Sequence, residues 1–344
     1  MKVTLKYISV LSLAVLFSNC SSTNNLTISV TKPAPVTIPK NINSVGILNR
    51  FGNSSGVINK IDQVFSIEGK NLDKEASFEV VEGLKNKLKQ LNRFDLVILK
   101  DTAYTTDNTF DFPSTLAWDK VDELCKTNTV DALFVLSYFD SDTNVSYNIN
   151  QVVSKNVLGI EVPLLEHQAT SNTLIKGGFK IYDSKNKLIL DAYSFSKGVS
   201  AVGKGVNPSK ALEALKMKKD LVMDTSRQIG ENYALSIQPY KIRVGRIYFV
   251  KGTDQLEIAK RKAQTGDWDG AAIHWENELN NSKSKIVGRA CHNMAIINEI
   301  NGDLEEAMEW ASKAYSLYEI KESLRYLNIL KNRVAENRRL EEQR

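Results

Sequence analysis

The chain predicts a mixed α/β sheet domain followed by a C-terminal helical repeat, an α+β architecture joined to an α-helical one. Three observations carry this reading. Between residues 42 and 139, short apolar runs alternate with amphipathic stretches. Two further runs, TLIKGGFKIYD (173–183) and KLILDAYSF (187–195), flank the turn signal SKN and read as a β-hairpin. Beyond residue 252 the apolar period becomes helical, and a Gly-Asp pair recurs, first at Gly266–Asp267 and again at Gly302–Asp303.

The first twenty residues read MKVTLKYISVLSLAVLFSNC. Lys2 and Lys6 form a charged start, and Ile8 to Phe17 an apolar stretch too short to span a hydrocarbon core of about 30 Å. Ser18 and Asn19 follow, so 1–19 read as a secretory signal peptide with Cys20 next in line. This layout resembles the lipobox of bacterial lipoproteins, with Leu16 one place early and Asn19 where a smaller residue is usual, the looser form of Bacteroidota-like lipoproteins. The resemblance implies lipidation of Cys20, with diacylglycerol on its thiol and an acyl chain such as palmitate on its amino group. It also implies anchorage in the outer membrane of the cell envelope. Surface-exported lipoproteins of such bacteria often carry an acidic cluster just after the cysteine; none follows Cys20, so the resemblance implies a periplasm-facing position. Residues 20–41 are polar and end in prolines, as expected of a lipidated tether.

The α/β domain is expected over 42–250. SVGILNRF (44–51) opens it as a strand. A helix follows over 74–92, with Phe78, Val81, Leu84, Leu88 and Leu91 on one face. FDLVIL (94–99) is a second strand. Residues 118–128 form a second helix, with Trp118, Val121, Leu124 and Cys125 inward and Ser114 as a candidate N-cap. VDALFVLSYF (130–139) is a third strand, apolar enough to be buried on both faces. This order calls for a sheet that is at least partly parallel. After the hairpin comes a helical stretch over 208–234, with Asn207 as cap and Pro208 at its first position. YKIRVGRIYFV (240–250) is the last strand. The element order resembles the TolB amino-terminal domain and the periplasmic domain of curli-channel-type lipoproteins, a likeness of fold that carries no function.

The C-terminal region, 252–344, resembles a tetratricopeptide-like helical repeat with a capping helix. Aligning Gly266 with Gly302 sets Trp268 against Leu304, Ala271 against Ala307 and Trp275 against Ala311. The glycines make the turn between paired helices, where a left-handed backbone costs them little. The alanines keep the crossing close, and Trp268 and Leu304 plug the gap. Ala314 is the small residue the pattern expects, and Glu278 departs from it in the first unit. Ile258–Ala259 and Met294–Ala295 lie at matching places in the first helices. A capping helix over 320–338 would turn Leu324, Leu327, Leu330 and Val334 inward, with a fraying charged tail. Together these segments look like a Bacteroidota-type lipoprotein family with a domain of unknown function, which brings no assigned activity.

The net charge of +5 is mild and no block of like charges occurs, so nucleic acid is not an expected partner. Cys125 and Cys291 are read as free, buried thiols. His167, His274 and His292 have no metal-ligand spacing. GNSSG (52–56) puts Ser54 in a nucleophile-elbow pattern but lacks the following helix. Lys204 precedes a helix without the Ser/Thr of a phosphate-binding loop. Asp140, Asp142 and Asp183 lie near strand ends, with no pair singled out for acid–base work. Neither catalytic nor metal residues are assigned, and no cofactor. The expected function is that of a non-enzymatic, lipid-anchored envelope adaptor or scaffold. Its partners are the membrane, through acyl chains on Cys20, and a protein or peptide at the helical repeat, where Trp268, Trp275 and Trp310 cluster. The alternative is a subunit of an envelope secretion or assembly channel. That reading needs a membrane β-hairpin in 142–172, against which Glu161 and Pro163 count. The oligomeric state is left open.

Overall fold

The computed structural model describes residues 22–51, 72–99, 115–155, 159–216 and 219–343. Cys20, Ser54 and Ser114 lie outside them. The described residues fall into two compact units, one spanning 34–238 and the other combining the residues up to 33 with 239–342.

The first described strand, β1 (Thr23–Lys32), lies within the expected tether. Its sequence, TNNLTISVTK, alternates, and Leu26 and Val30 are buried.

The α/β unit begins with β2 (Ser44–Asn49), α1 (Leu72–Leu91), β3 (Asp95–Leu99), α2 (Trp118–Asn128) and β4 (Ala132–Lys155). It continues with β5 (Glu161–Asp183), β6 (Leu188–Gly205), α3 (Pro208–Lys216) and α4 (Asp220–Leu235). The sheet order is β3-β2-β4-β5-β6. β2 lies between two parallel neighbours, and the β4–β5 and β5–β6 pairs are antiparallel. On β4, Phe134 and Leu136 join the core under α1 and α4, while Leu133 and Val135 join the one under α2. Both faces are therefore covered, as the continuous apolar run predicts. α1 buries Ala76, Val80, Leu84 and Leu88. Phe78, expected inward, is 51% exposed, because the helix is rotated so that Val80 meets the sheet. α1 and α4 cross at two glycines. A Cβ on Gly83 would lie 2.0 Å from the Arg227 carbonyl oxygen, and one on Gly230 1.9 Å from that of Val80.

Three expectations change here. The strand expected to end at 139 continues to Lys155, and β4 pairs with β5 from Ala132↔Asp183 to Lys155↔Glu161. Pro163 lies beyond His167, where β5 meets its last β6 partner, so its missing N–H falls on a stretch with one neighbour only and is tolerated. The helical stretch 208–234 is two helices, since α3 packs on β6 through Ala211 and Leu215 while α4 packs on α1. Lys210 N donates to Asn207 Oδ1 at 2.9 Å, the anticipated cap. The N-cap of α2 is Ala117, not the expected Ser114, and it makes no side-chain cap bond.

In the other unit, β7 (Tyr240–Phe249) is followed by α5 (Asp254–Gln264) and α6 (Trp268–Asn277), which ends in a 3-10 turn over Glu278–Asn280. α7 (Ser284–Asn301), α8 (Leu304–Ser316) and α9 (Lys321–Gln343) complete it. β7, expected to close the α/β sheet, instead pairs antiparallel with β1, from Thr23↔Phe249 to Lys32↔Tyr240. The reason is packing: Leu26, Tyr248 and Val250 share a core with Leu256, Trp275 and Ala295. α9 does not fray at 338. It runs to Gln343 and turns Tyr326 and Leu330 inward, leaving Leu324 39% exposed.

Candidate functional site

The residues that define the two helical pairs occupy matching places. Gly266 (φ 84°) and Gly302 (φ 92°) are left-handed at the turns. Asp267 then caps α6 by accepting from Gly270 N at 2.9 Å, and Asp303 caps α8 by accepting from Glu306 N at 3.1 Å. Ala271, Ala307 and Ala314 are fully buried, and Leu304 nearly so. Trp275 is enclosed, while Trp268 is half-buried and meets Tyr248 edge-on at 5.7 Å. These side chains hold the unit together and leave little for a ligand. Glu278, the exception to the small-residue pattern, is buried. It accepts from Thr253 Oγ1 and, at 2.6 Å, from Asn281 Nδ2. Thr253 in turn caps α5, so the misfit residue ties one helix pair to its own beginning.

α7 carries what sequence reasoning missed. Its polar side chains engage β7. Asn293 accepts from Phe249 N at 2.7 Å and donates to Phe249 O at 2.7 Å. His292 Nε2 donates to Ile247 O at 3.1 Å, and Nδ1 lies 2.8 Å from Ser323 Oγ. Burial pushes its pKa down to about 4. Glu299, whose side chain is wholly enclosed, forms a two-pronged pair with Arg246 at 2.7 and 2.8 Å. It also accepts from Arg333 and from Tyr326, both at 2.6 Å. Burial alone would raise the Glu299 pKa, but these donors hold it below the usual carboxylate range. Along α7, then, the groups that a groove would offer a peptide are engaged by this chain's own strand. The adjacent His292–Asn293–Met294 triplet on an apolar helix was the available signal.

A second face is open. Between α8 and α9, Met308, Leu317 and Leu327 form an apolar floor, rimmed by Glu305, Glu309, Lys313 and Lys331. Leu317 is 65% exposed. Lys313 Nζ lies 4.9 Å from the centre of the half-buried Trp310 ring.

Of the carboxylates picked from sequence, Asp140 and Asp142 lie near each other and near Asp73, while Asp183 stands apart, opposite Ala132. Asp183 accepts from Asn186 N (3.1 Å) and Nδ2 (2.7 Å), closing the β5–β6 turn. Asp140 is raised in pKa by burial and then by Asp73 and Asp142 nearby. Asp73, also raised by burial, accepts from Ser141 N at 2.9 Å and from its hydroxyl. Lys204 pairs with Glu166 at 2.9 Å. His167 stacks on Tyr147, and His274 Nδ1 meets Gln255 Oε1 at 2.5 Å. Cys125 and Cys291 are buried free thiols raised in pKa by burial, Cys125 to about 11. Among the described residues no cluster of three His, Cys, Asp or Glu could hold a metal.

Residues 42–249, more than half of the chain, match the model of a family described as a domain of unknown function, DUF8603. The chain belongs to this family. The DUF8603 match runs through β7, which in the structure pairs with β1 beside the helices. Residues 257–332 match a second domain of unknown function, DUF6340, which spans α5 to α8 and the first half of α9. No curated protein matches the chain. Among solved structures it is similar to a PelC dodecamer from Paraburkholderia phytofirmans, at 9% identity and a TM-score of 0.23, covering 60% of this chain and 98% of that one. It is also similar to a putative neuraminyllactose-binding hemagglutinin homolog from Helicobacter pylori, at 13% identity and a TM-score of 0.25, covering 58% and 94%. At these values the likeness carries no functional argument.

Proposed function

We propose that this DUF8603 chain is a lipid-anchored, non-enzymatic adaptor of the bacterial cell envelope. In this reading it is a Bacteroidota-type lipoprotein cleaved and acylated at Cys20, tethered to the outer membrane and facing the periplasm. Its C-terminal helical pairs are of tetratricopeptide type and hold a protein partner. The matched turns at Gly266 and Gly302, the two aspartate caps and the enclosed Ala271 and Ala307 support that type. The observation that carries the binding reading is the α8–α9 groove, with its apolar floor and rim of both charge signs. Such a surface suits an amphipathic protein segment better than a small molecule. The partner site is accordingly assigned to this groove and not to the face of α7, which β7 occupies.

The test uses the full chain in its native host. Crosslinking should trap a defined partner with the wild type and lose it with Leu317→Glu combined with Met308→Glu, while thermal unfolding stays unchanged. Equal capture by both proteins would sink the groove assignment. Acylation is checked separately: Cys20→Ala should leave the membrane fraction and take up no labelled fatty acid.

One observation favours a second reading, a subunit of an envelope assembly channel. In the outer part of the β4–β5 hairpin, Tyr147, Ile149 and Val153 lie on one face, with Leu165 opposite Gln151, all four apolar residues exposed; Ser146, Asn148 and Asn150 lie on the other, with exposed Leu164 opposite Val152. Alternation of this kind is compatible with a membrane strand. No described helix is long and apolar enough to cross a membrane, which says nothing about strands. A closed ring by light scattering, together with conductance in planar bilayers, would favour this reading; a monomer without conductance would reject it.

A further inference from the structure

β1 begins three residues after Cys20. Its entry is already tied down, since Val250 N donates to Ser22 O at 3.0 Å and Thr23 faces Phe249. Three extended residues reach at most about 11 Å. An acylated Cys20 would therefore hold this end of the C-terminal unit against the lipid headgroups, with no long tether between.

That end is basic. Lys251 follows β7, and Arg289 Nη1 donates to its carbonyl at 2.5 Å. The Arg289 guanidinium lies 5.3 Å from the Phe249 ring centre. A Cβ on Gly252 would lie 2.5 Å from Ile286 Cδ1, so the first turn of α7, with exposed Lys283 and Lys285, adjoins the same point. A Cβ on Gly288 would lie 2.7 Å from Ile320 Cγ1, which brings in exposed Lys321 at the start of α9. Across 250–254, 283–289 and 318–322 there are five basic residues against three acidic ones, Asp254, Glu319 and Glu322. This basic excess lies at the end of the unit that an acylated Cys20 would hold.

We propose that Lys283, Lys285 and Lys321, with Arg289 behind them, form a membrane-docking surface for anionic phospholipid headgroups, which orients the anchored C-terminal unit. The orientation rests on acylation of Cys20; the affinity for headgroups does not. The experiment therefore uses the chain from Ser21 to Arg344, which has no lipid and contains every described residue. It is sedimented with phosphatidylcholine vesicles with and without phosphatidylglycerol. Binding should require phosphatidylglycerol and weaken with salt. Lys283→Glu/Lys285→Glu/Lys321→Glu should lower it roughly tenfold or more. Reversing three exposed lysines elsewhere, Lys89→Glu/Lys120→Glu/Lys210→Glu, should change it far less. The milder Lys283→Gln/Lys285→Gln pair gives the same direction should the triple reversal disturb folding. Equal binding to neutral vesicles, or equal loss from both reversals, overturns the proposal. A Cys20→Ala chain that stays in membranes would overturn the anchor and leave the vesicle result standing.

Discussion

His292 is neutral in the folded chain because burial opposes its charge, and its pKa falls from 6.5 to about 4. In the unfolded chain it takes a proton as the pH drops below 6.5. Its contribution to stability is therefore fully present above that pH and is lost between 6.5 and 4, to a total of about 3 kcal/mol. Denaturant midpoints measured across this range should fall on acidification in the wild type and fall less in His292→Gln. The half-buried carboxyls Asp73 and Asp140, with raised pKa values, act in the opposite sense, so the difference between the two proteins isolates the imidazole. Glu299→Gln should be harsher. It leaves the buried Arg246 and the partly buried Arg333 without a counter-charge, a change that costs about 3–5 kcal/mol in comparable buried pairs and is read by the same denaturation. At this scale the repeat residues Gly266, Ala271, Gly302 and Ala307 were legible, because spacing and size determine their roles. His292, Asn293 and Glu299 were not. Their partners lie on a strand more than forty residues earlier, and no local pattern reports that distance.

Elements were legible in proportion to how local their causes are. α2 was read to the residue and α1 to within two. β4 was cut short because DSDTN looks like a loop, although the alternation of VSYNINQVV continues past it and pairs with β5. β1 was hidden inside a polar, proline-ended segment, and only the Leu26, Ile28, Val30 alternation marked it. The α1–α4 crossing gives a sharp test. Gly230→Ala would drive its methyl into the Val80 carbonyl and should cost about 1–3 kcal/mol or more through forced separation of the helices. Gly198→Ala, with nothing within 4 Å, should be nearly silent. Thermal unfolding of both variants makes the comparison.

For the whole molecule, the division read from sequence placed a tether, a sheet domain and a helical repeat in succession. The structure interleaves them: the C-terminal unit contains the strand that precedes the sheet domain. The isolated segment 252–344 is therefore incomplete, because it lacks Leu26, Tyr248 and Val250 from its core. A chain beginning at Ala34 should behave likewise. Without β1, the ten-residue pairing of β7 is open and its edge is free to associate with other chains. Light scattering should show this truncated protein as aggregated at concentrations where the full chain is not.

The pairing of β1 with β7 also sets a schedule. Thr23 leaves the ribosome long before Phe249 exists, and Lys32 is separated from Tyr240 by about two hundred residues. At about 5–20 residues per second, synthesis of that interval takes on the order of 10–40 s. Throughout it, the N-terminal strand has no mate, while the sheet between the two ends can close by itself. Any tag or fusion placed just before Ser22 is thus attached to the part of the molecule that folds last.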